Sequence, residues 1–300
     1  MDTDVSIIIV NYNTAALIKD AVSSIREYTS CTYEILIVDN ASPDGSGAEL
    51  QSFYSSCTDI KVLLSLENRG FGQANNYGYE YASGKYIFCL NPDTILKNDA
   101  IGILCNYLND NPKVGISGGN LFDADDMPTL SYKRLFPSLS YELSSILNHI
   151  PEKLVWGKNY LFNYMDKPIS VAYITGADLM IRKSVIDKIG FFSPDFFMYY
   201  EETDLCLRAR KNGIAIMSVP EARIMHLEGK STNNLERKAE MNFKGREAFY
   251  SRHYSKQYNV VCDFVYMLSI IIRLLIYKIR KAGNVRYWEH TLTLLRAKYK

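Results

Sequence analysis

Three hundred residues with 47% hydrophobic and 22% charged side chains suffice for one large α/β domain plus an appendage, and they exclude a low-complexity or disordered chain. The net charge of +1 conceals an asymmetry, with 14 Lys/Arg against 5 Asp/Glu from Glu236 onward and 20 against 28 before it. A basic tail, residues 236–300, therefore follows a mildly acidic body, residues 1–235. Cys31, Cys57, Cys89, Cys105, Cys206 and Cys262 have no metal-ligand spacing and read as free thiols in a reducing compartment. Acidic residues at positions 2 and 4, just before a strand pattern, predict no signal peptide.

The first strand runs through Val5 to Val10 and ends on Asn11-Tyr12-Asn13, and Leu17, Ile18, Ala21, Val22 and Ile25 then recur at helical spacing over 14–28. A second β-branched run, Glu34 to Val38, ends on Asp39-Asn40 and a Ser/Pro/Asp/Gly turn. A helix is expected over 48–54, a strand over 60–64, and a glycine-bearing segment over 68–78. There Gly70 and Gly72 permit close backbone approach to a ligand or form a structural turn. The third strand, 86–90, stops abruptly on Asn91-Pro92-Asp93, because Pro92 has no amide hydrogen to continue a ladder.

This alternation is that of βαβ units around a mostly parallel sheet, which receives ligands outside the carboxyl ends of its strands. Asn11, Asp39 and Asp93 thus converge on one edge. Farther along, the pattern predicts a helix over 96–111 stopped by Pro112, and a strand over 114–116. Residues 123–167 follow, aromatic, proline-punctuated and without a clear period, as either an insertion lining a cleft or a peripheral cover. Strand character resumes over 173–182 around Gly176-Ala177-Asp178. Another helix opens at Thr203-Asp204, with Asp204 a candidate N-terminal cap, and stops at Gly213.

From Val260 to Ile279 the tail is strongly apolar but interrupted by Asp263 and Arg273. The uninterrupted run falls short of the ~20 residues of a bilayer span, so an interfacial helix on an anionic membrane is expected. The competing reading docks this helix on the catalytic body or on a homodimer partner. Cations interleaved with long aliphatic runs favour lipid over nucleic acid as the tail's partner.

Seven segments occur in the order found in family 2 glycosyltransferases. They are Ser6-Ile7-Ile8-Ile9-Val10-Asn11-Tyr12-Asn13; Val38-Asp39-Asn40-Ala41-Ser42-Pro43-Asp44-Gly45-Ser46; Asn68-Arg69-Gly70-Phe71-Gly72-Gln73-Ala74-Asn75-Asn76-Tyr77-Gly78; Leu90-Asn91-Pro92-Asp93; Gly176-Ala177-Asp178; Phe197-Met198-Tyr199-Tyr200-Glu201-Glu202-Thr203-Asp204-Leu205; and His226-Leu227-Glu228-Gly229-Lys230-Ser231. Over residues 3–233 the chain resembles these inverting, nucleotide-sugar-dependent enzymes, in particular the rhamnosyltransferase-like branch. The resemblance implies the Rossmann-like GT-A fold, with the tail as a C-terminal helical appendage. It also implies transfer from a nucleotide-diphosphate sugar, such as dTDP-rhamnose or a UDP-sugar, to a hydroxyl of a glycan or lipid-linked acceptor in cell-surface polysaccharide synthesis. The setting would be cytoplasmic, peripheral at the inner face of the cell membrane.

Each step of such a transfer has a candidate. Asp39 accepts the imide hydrogen of the base, while Asn11 and Asn13 frame the nucleoside. Asn68, Gly70 and Asn91 fall in donor-binding motifs, and Asp178 is expected against the donor sugar or acceptor. A divalent cation, Mn²⁺ or Mg²⁺, neutralises the leaving diphosphate. Asp93 is its candidate ligand, His226 completes the shell by resemblance, and Lys230 and Ser231 are auxiliary phosphate contacts. The general base lies among Glu201, Glu202 and Asp204, with Glu202 in the position of the usual family base although relatives often carry Glu-Asp there. Two other classes compete. A sugar nucleotidyltransferase needs a glycine-rich loop with a basic residue after the first strand, which Asn11-Tyr12-Asn13-Thr14 does not supply. A non-catalytic nucleotide-sugar-binding scaffold on the membrane has no need of Asp93, Glu202 and His226 together.

Overall fold

The computed structural model describes residues 3–227, 234–281 and 283–299. Its first half alternates β1 (Val5–Asn11), α1 (Ala15–Tyr28), β2 (Tyr33–Asp39), α2 (Ser46–Phe53), β3 (Ile60–Leu64), α3 (Gly70–Tyr79), β4 (Tyr86–Leu90), β5 (Thr94–Leu96), α4 (Ala100–Asp110) and β6 (Val114–Phe122). An insertion follows with β7 (Tyr132–Lys133), α5 (Leu139–Ile146), α6 (Ile150–Trp156), β8 (Ile169–Ser170) and β9 (Tyr173–Ile174). Next come β10 (Asp178–Arg182), α7 (Lys183–Ile189), α8 (Glu201–Lys211) and β11 (Ala215–His226), and then the tail helices α9 (Leu235–His253), α10 (Lys256–Arg280) and α11 (Val285–Ala297).

The main sheet has the order β3-β2-β1-β4-β10-β6-β11-β5, with β8 added alongside β11. β3, β2, β1 and β4 are parallel, whereas β10 enters antiparallel between β4 and β6. Every residue of β1 and β4 is buried, as a sheet covered on both faces requires. The period of two sorts them: Ile7 and Ile9 pack with α1 and α4, and Ile8 and Val10 with α3 and α8.

The structure corrects three boundaries. Leu96 belongs to β5 rather than to the following helix, which begins after Asp99 caps the amide of Gly102 at 3.1 Å. Gly70 and Gly72 lie inside α3. α8 opens two residues before Thr203, capped by the backbone of Tyr200, so Asp204 is not its N-cap.

The tail packs onto the body around Arg246, whose buried guanidinium meets Glu142 of α5 at 2.9 Å and Asp263 of α10 at 2.6 Å. Tyr250 Oη donates to the same Glu142 at 2.8 Å, and Lys298 Nζ and Tyr299 Oη each reach Asp263 at 2.6 Å. α10 has 25 residues, so by length and composition it suffices to cross a membrane, contrary to the sequence expectation. Asp263 and Arg273, which interrupt it in sequence, both turn toward protein, Arg273 donating to Ser145 Oγ at 2.9 Å.

Candidate active site

The carboxyl ends of β1 and β2 lie in register, Asn11 opposite Asp39. Asn11 Nδ2 donates to Asp39 Oδ1 at 2.7 Å and to Ser46 Oγ at 2.8 Å, while Asn11 Oδ1 accepts from the Thr14 amide at 3.0 Å. Ser42 adds its amide to Asp39 Oδ2 at 3.2 Å and accepts the amide of Asn13 at 3.1 Å. Asn13 holds a left-handed φ of 60°, which asparagine tolerates better than most residues. Gly47 has to be glycine, because a Cβ there would sit 2.5 Å from Asp39 Cγ. These contacts fix the Asp39 carboxylate at the strand edge and leave Asn13 exposed beside it.

One strand over, β4 ends at Leu90 and the chain turns through Asn91-Pro92-Asp93 into β5. β5 pairs with the end of β11, Thr94 opposite His226, and the Leu227 amide donates to the Asp93 carbonyl at 2.9 Å. This pairing brings together side chains far apart in sequence: His226 Nε2 is 3.2 Å from Asp93 Oδ1 and 3.3 Å from Asn91 Nδ2. Both Asp93 and His226 are mostly enclosed.

A carboxylate oxygen beside an imidazole nitrogen is a donor set suited to Mn²⁺, and the carboxylate alone suits Mg²⁺ as well. Among the described residues no three His, Cys, Asp or Glu side chains gather as a metal cage. Asp93 and His226 would therefore supply only two ligands to such an ion. Lys230 and Ser231, the expected phosphate contacts, lie outside the described residues.

Asn68 and Gly70 serve the architecture of the site. Asn68 Oδ1 accepts from Asn40 Nδ2 and from the Gly70 amide, both at 3.0 Å, and Asn40 Oδ1 accepts the Arg69 amide at 2.9 Å. The close approach that Gly70 permits, with φ at 77°, is to the Phe197 carbonyl rather than to a ligand. The Phe71 amide donates to that carbonyl at 2.9 Å, so the β2 edge is tied through Asn40, Asn68 and α3 to the loop before α8.

That loop ends on Tyr199 and Tyr200, both left-handed with φ of 70° and 72°. A strained pair of this kind persists only where neighbours hold it, and here α9 does so. Gly245 lies so close to the Tyr199 carbonyl that a Cβ would come within 2.6 Å, and Tyr200 packs on Phe249. Glu201 and Glu202 follow at once. Glu201 is buried, and its Oε2 has no hydrogen-bond partner among the described residues. Burial and the neighbouring Glu202 charge push its carboxyl well above the usual range. Glu202 is half-buried, and burial pushes it up to about 7, with Thr203 Oγ1 at 3.4 Å.

The other two candidate carboxylates have different roles. Asp204 is fully enclosed, with Oδ2 2.8 Å from Arg208 Nε and Oδ1 2.8 Å from His253 Nε2 and 3.2 Å from Arg252 Nε. Against the effect of burial, the hydrogen bond from His253 and the Arg208 guanidinium hold its carboxyl below the usual range, so it is a structural anchor and not a base. Asp178 sits opposite Leu90 at the start of β10 and is also fully enclosed, its Oδ2 accepting the Gly119 amide at 2.5 Å. Burial pushes its carboxyl well above the usual range, and the side chain presents no exposed surface to a donor sugar or acceptor.

Sequence reasoning missed Asn40, Ser42 and Ser46, which orient the Asp39 edge, although all three stand within the motifs. It also missed His253, Arg252 and Gly245, whose spacing gives no signal because they act across a tertiary interface.

Strand-end carboxylates on a Rossmann-like sheet, one of them beside a histidine, define a GT-A protein. Glycosyl transferase family 2 matches residues 6–190, and the chain belongs to that family. It is 32% identical over 223 residues to the low-salt glycan biosynthesis hexosyltransferase Agl10 of Haloferax volcanii, spanning 71% of this chain and 64% of that protein. It is 24% identical to the N-acetylglucosaminyl-diphospho-decaprenol L-rhamnosyltransferase of Mycobacterium tuberculosis, over 77% of this chain and 78% of the other. In fold it matches the mannosyltransferase PcManGT of Pyrobaculum calidifontis, solved with GDP-Man and Mn²⁺, at a TM-score of 0.59 and 15% identity. That match covers all of this chain and 81% of the other.

Proposed function

We propose that this protein is an inverting glycosyltransferase that moves a sugar from a nucleotide-diphosphate donor to a hydroxyl of a glycan or lipid-linked acceptor in cell-surface polysaccharide synthesis. The observation that carries this reading is the 3.2 Å pairing of Asp93 with His226 at the edge that also presents Asp39. Asp39, held by Asn11, accepts the imide hydrogen of the base, with Asn13 at the exposed rim of the nucleoside site. Asp93 and His226 would hold Mn²⁺ or Mg²⁺, and Asn91 Nδ2, 3.3 Å from His226 Nε2, would orient the imidazole. When bound, the ion neutralises charge on the departing diphosphate.

Glu202 is the general base, its proton affinity raised by burial, and Glu201 is enclosed next to it in the chain. As the acceptor oxygen attacks the anomeric carbon, Glu202 takes the hydroxyl proton and the bond to the diphosphate breaks, its electron pair leaving with the phosphate oxygen. Attack from the face opposite the leaving group inverts the centre. dTDP-rhamnose and UDP-sugars are the candidate donors, in keeping with the rhamnosyl- and hexosyltransferase relatives. The basic, apolar tail places the enzyme at the inner face of the cell membrane.

The test combines a thermal-shift screen of nucleotide sugars, with and without Mn²⁺, and donor hydrolysis by Asp93→Asn. A true donor raises the melting temperature by mass action, and more so with Mn²⁺. Asp93→Asn keeps its circular dichroism and loses metal-dependent hydrolysis. Unchanged hydrolysis with unchanged metal dependence would reduce Asp93 to a turn residue and sink this assignment.

A further inference from the structure

Resting on the membrane-side reading above, we propose that the outward face of α10 and the insertion helices α5 and α6 form one docking surface for an anionic lipid membrane. α10 is apolar on its exposed side as well as on its buried one. Val261, Phe264, Leu268, Leu275 and Ile279 succeed one another along its exposed side, with Phe264 57% and Ile279 81% accessible. They fall on one helical face, opposite the side on which Asp263, Tyr266 and Ile270 are buried. A helix at a water-exposed surface presents polar residues outward, so this face calls for an apolar partner.

The insertion supplies a second apolar element beside the first. α5 lies along α10, its Leu139 amide bonded to Tyr258 Oη at 2.8 Å and Ser145 to Arg273. Leu143 and Leu147 of the same segment are exposed, and on α6 Leu154 and Val155 are 80% and 71% accessible.

Charge identifies the partner as an anionic lipid surface. Among the residues of α5, α6 and α10 the only carboxylates are Glu142, Glu152 and Asp263. All three are buried, Glu142 and Asp263 against Arg246 and Glu152 against His149 at 2.7 Å. The cations are outside: Lys153, Lys158, Arg280 and Lys281 are exposed, as is Lys278, which also meets Glu289 at 3.0 Å. Apolar side chains bounded by cations, with every acid of these three helices withdrawn, match the interface of a bilayer with anionic headgroups.

α10 lies on this surface and does not cross it, because α9 and α11 pack along it with charged residues of their own. Seating also brings the insertion against the lipid, and Phe136 of that insertion stacks on Tyr173, which neighbours Glu202. An acceptor carried by the membrane then approaches the base from the lipid side.

The test is flotation of the full-length protein with vesicles of phosphatidylcholine and phosphatidylglycerol, and with phosphatidylcholine alone. Leu154→Asp with Val155→Asp, and Phe264→Asp with Leu275→Asp, should each weaken binding to the anionic vesicles by about tenfold or more. Leu66→Asp, at an exposed position elsewhere, should leave it unchanged. Binding should be weaker without phosphatidylglycerol and in high salt. Circular dichroism and hydrolysis of the nucleotide sugar, measured on each variant, keep folding and the transfer reading separate from docking. Wild-type protein that stays with neither vesicle overturns the proposal, even with hydrolysis intact. So does undiminished flotation of the α6 pair, or a lipid-free dimer that the same substitutions convert to monomer.

Discussion

His253, in the last turn of α9, holds its Nε2 2.8 Å from Oδ1 of Asp204, a fully buried carboxylate three residues after the start of α8. The contact ties the tail to the helix that carries Glu201 and Glu202. Arg208 and Arg252 complete the cluster, so the carboxylate is surrounded by three basic side chains from two helices.

Asp204→Ala leaves those groups without their shared anion, and removing one partner of a buried ion pair costs about 3–5 kcal/mol. Urea unfolding at pH 7 measures it. The Asp204 carboxyl is held below its ordinary value, so its contribution is present above that range and is lost as pH falls through the depressed value. The gap between wild type and variant should therefore close in strong acid, and a gap that persists unchanged there would mean packing and not charge.

Glu202→Gln should retain donor binding and lose about 10²–10⁴-fold in transfer rate, the usual worth of a positioned base. Glu201→Gln should lose less. Because burial places Glu202 at about 7, wild-type kcat/KM should climb through neutral pH and level off in mild alkali. The same shift has a stability consequence. A carboxyl raised in the folded state favours folding at low pH and loses that advantage as pH rises through the folded value. Glu202→Gln should therefore gain stability on wild type in mild alkali and not at pH 4, which thermal melts at the two pH values would show.

Arg246→Met should be among the most damaging single changes in the tail, because it strands Glu142 and Asp263 in a buried setting. Cutting the chain before Asn259 removes Asp263, Lys298 and Tyr299 from the same network. Both variants should melt at lower temperature than wild type. A truncated protein with an unchanged melting temperature would show that the tail is an independent unit.

Gly245→Ala tests whether α9 supports the base. The new Cβ would sit 2.6 Å from the Tyr199 carbonyl, forcing the left-handed Tyr199-Tyr200 pair to shift just ahead of Glu201. Transfer should fall while nucleotide-sugar binding, which depends on the opposite end of the site, is retained. An equal loss of both would point to general unfolding.

The α/β alternation, the strand ends at Asn11, Asp39 and Asp93, and the family motifs are local features, so periodicity and turn chemistry made them legible in the chain itself. Even the match of Asp93 with His226 was available through motif order, although β5 and β11 had to pair before the two side chains met. Asp178 and Asp204 show the opposite case. Each stands in a motif as a plausible participant, yet Asp178 is enclosed against Gly119 and Asp204 is consumed by Arg208 and His253, because burial and ion pairing depend on what packs from elsewhere. The tail follows the same physics. Its composition announces apolar and basic residues, whereas only the packing of α10 on α5 and α9 decides that Asp263 and Arg273 face inward and the uninterrupted apolar side faces out.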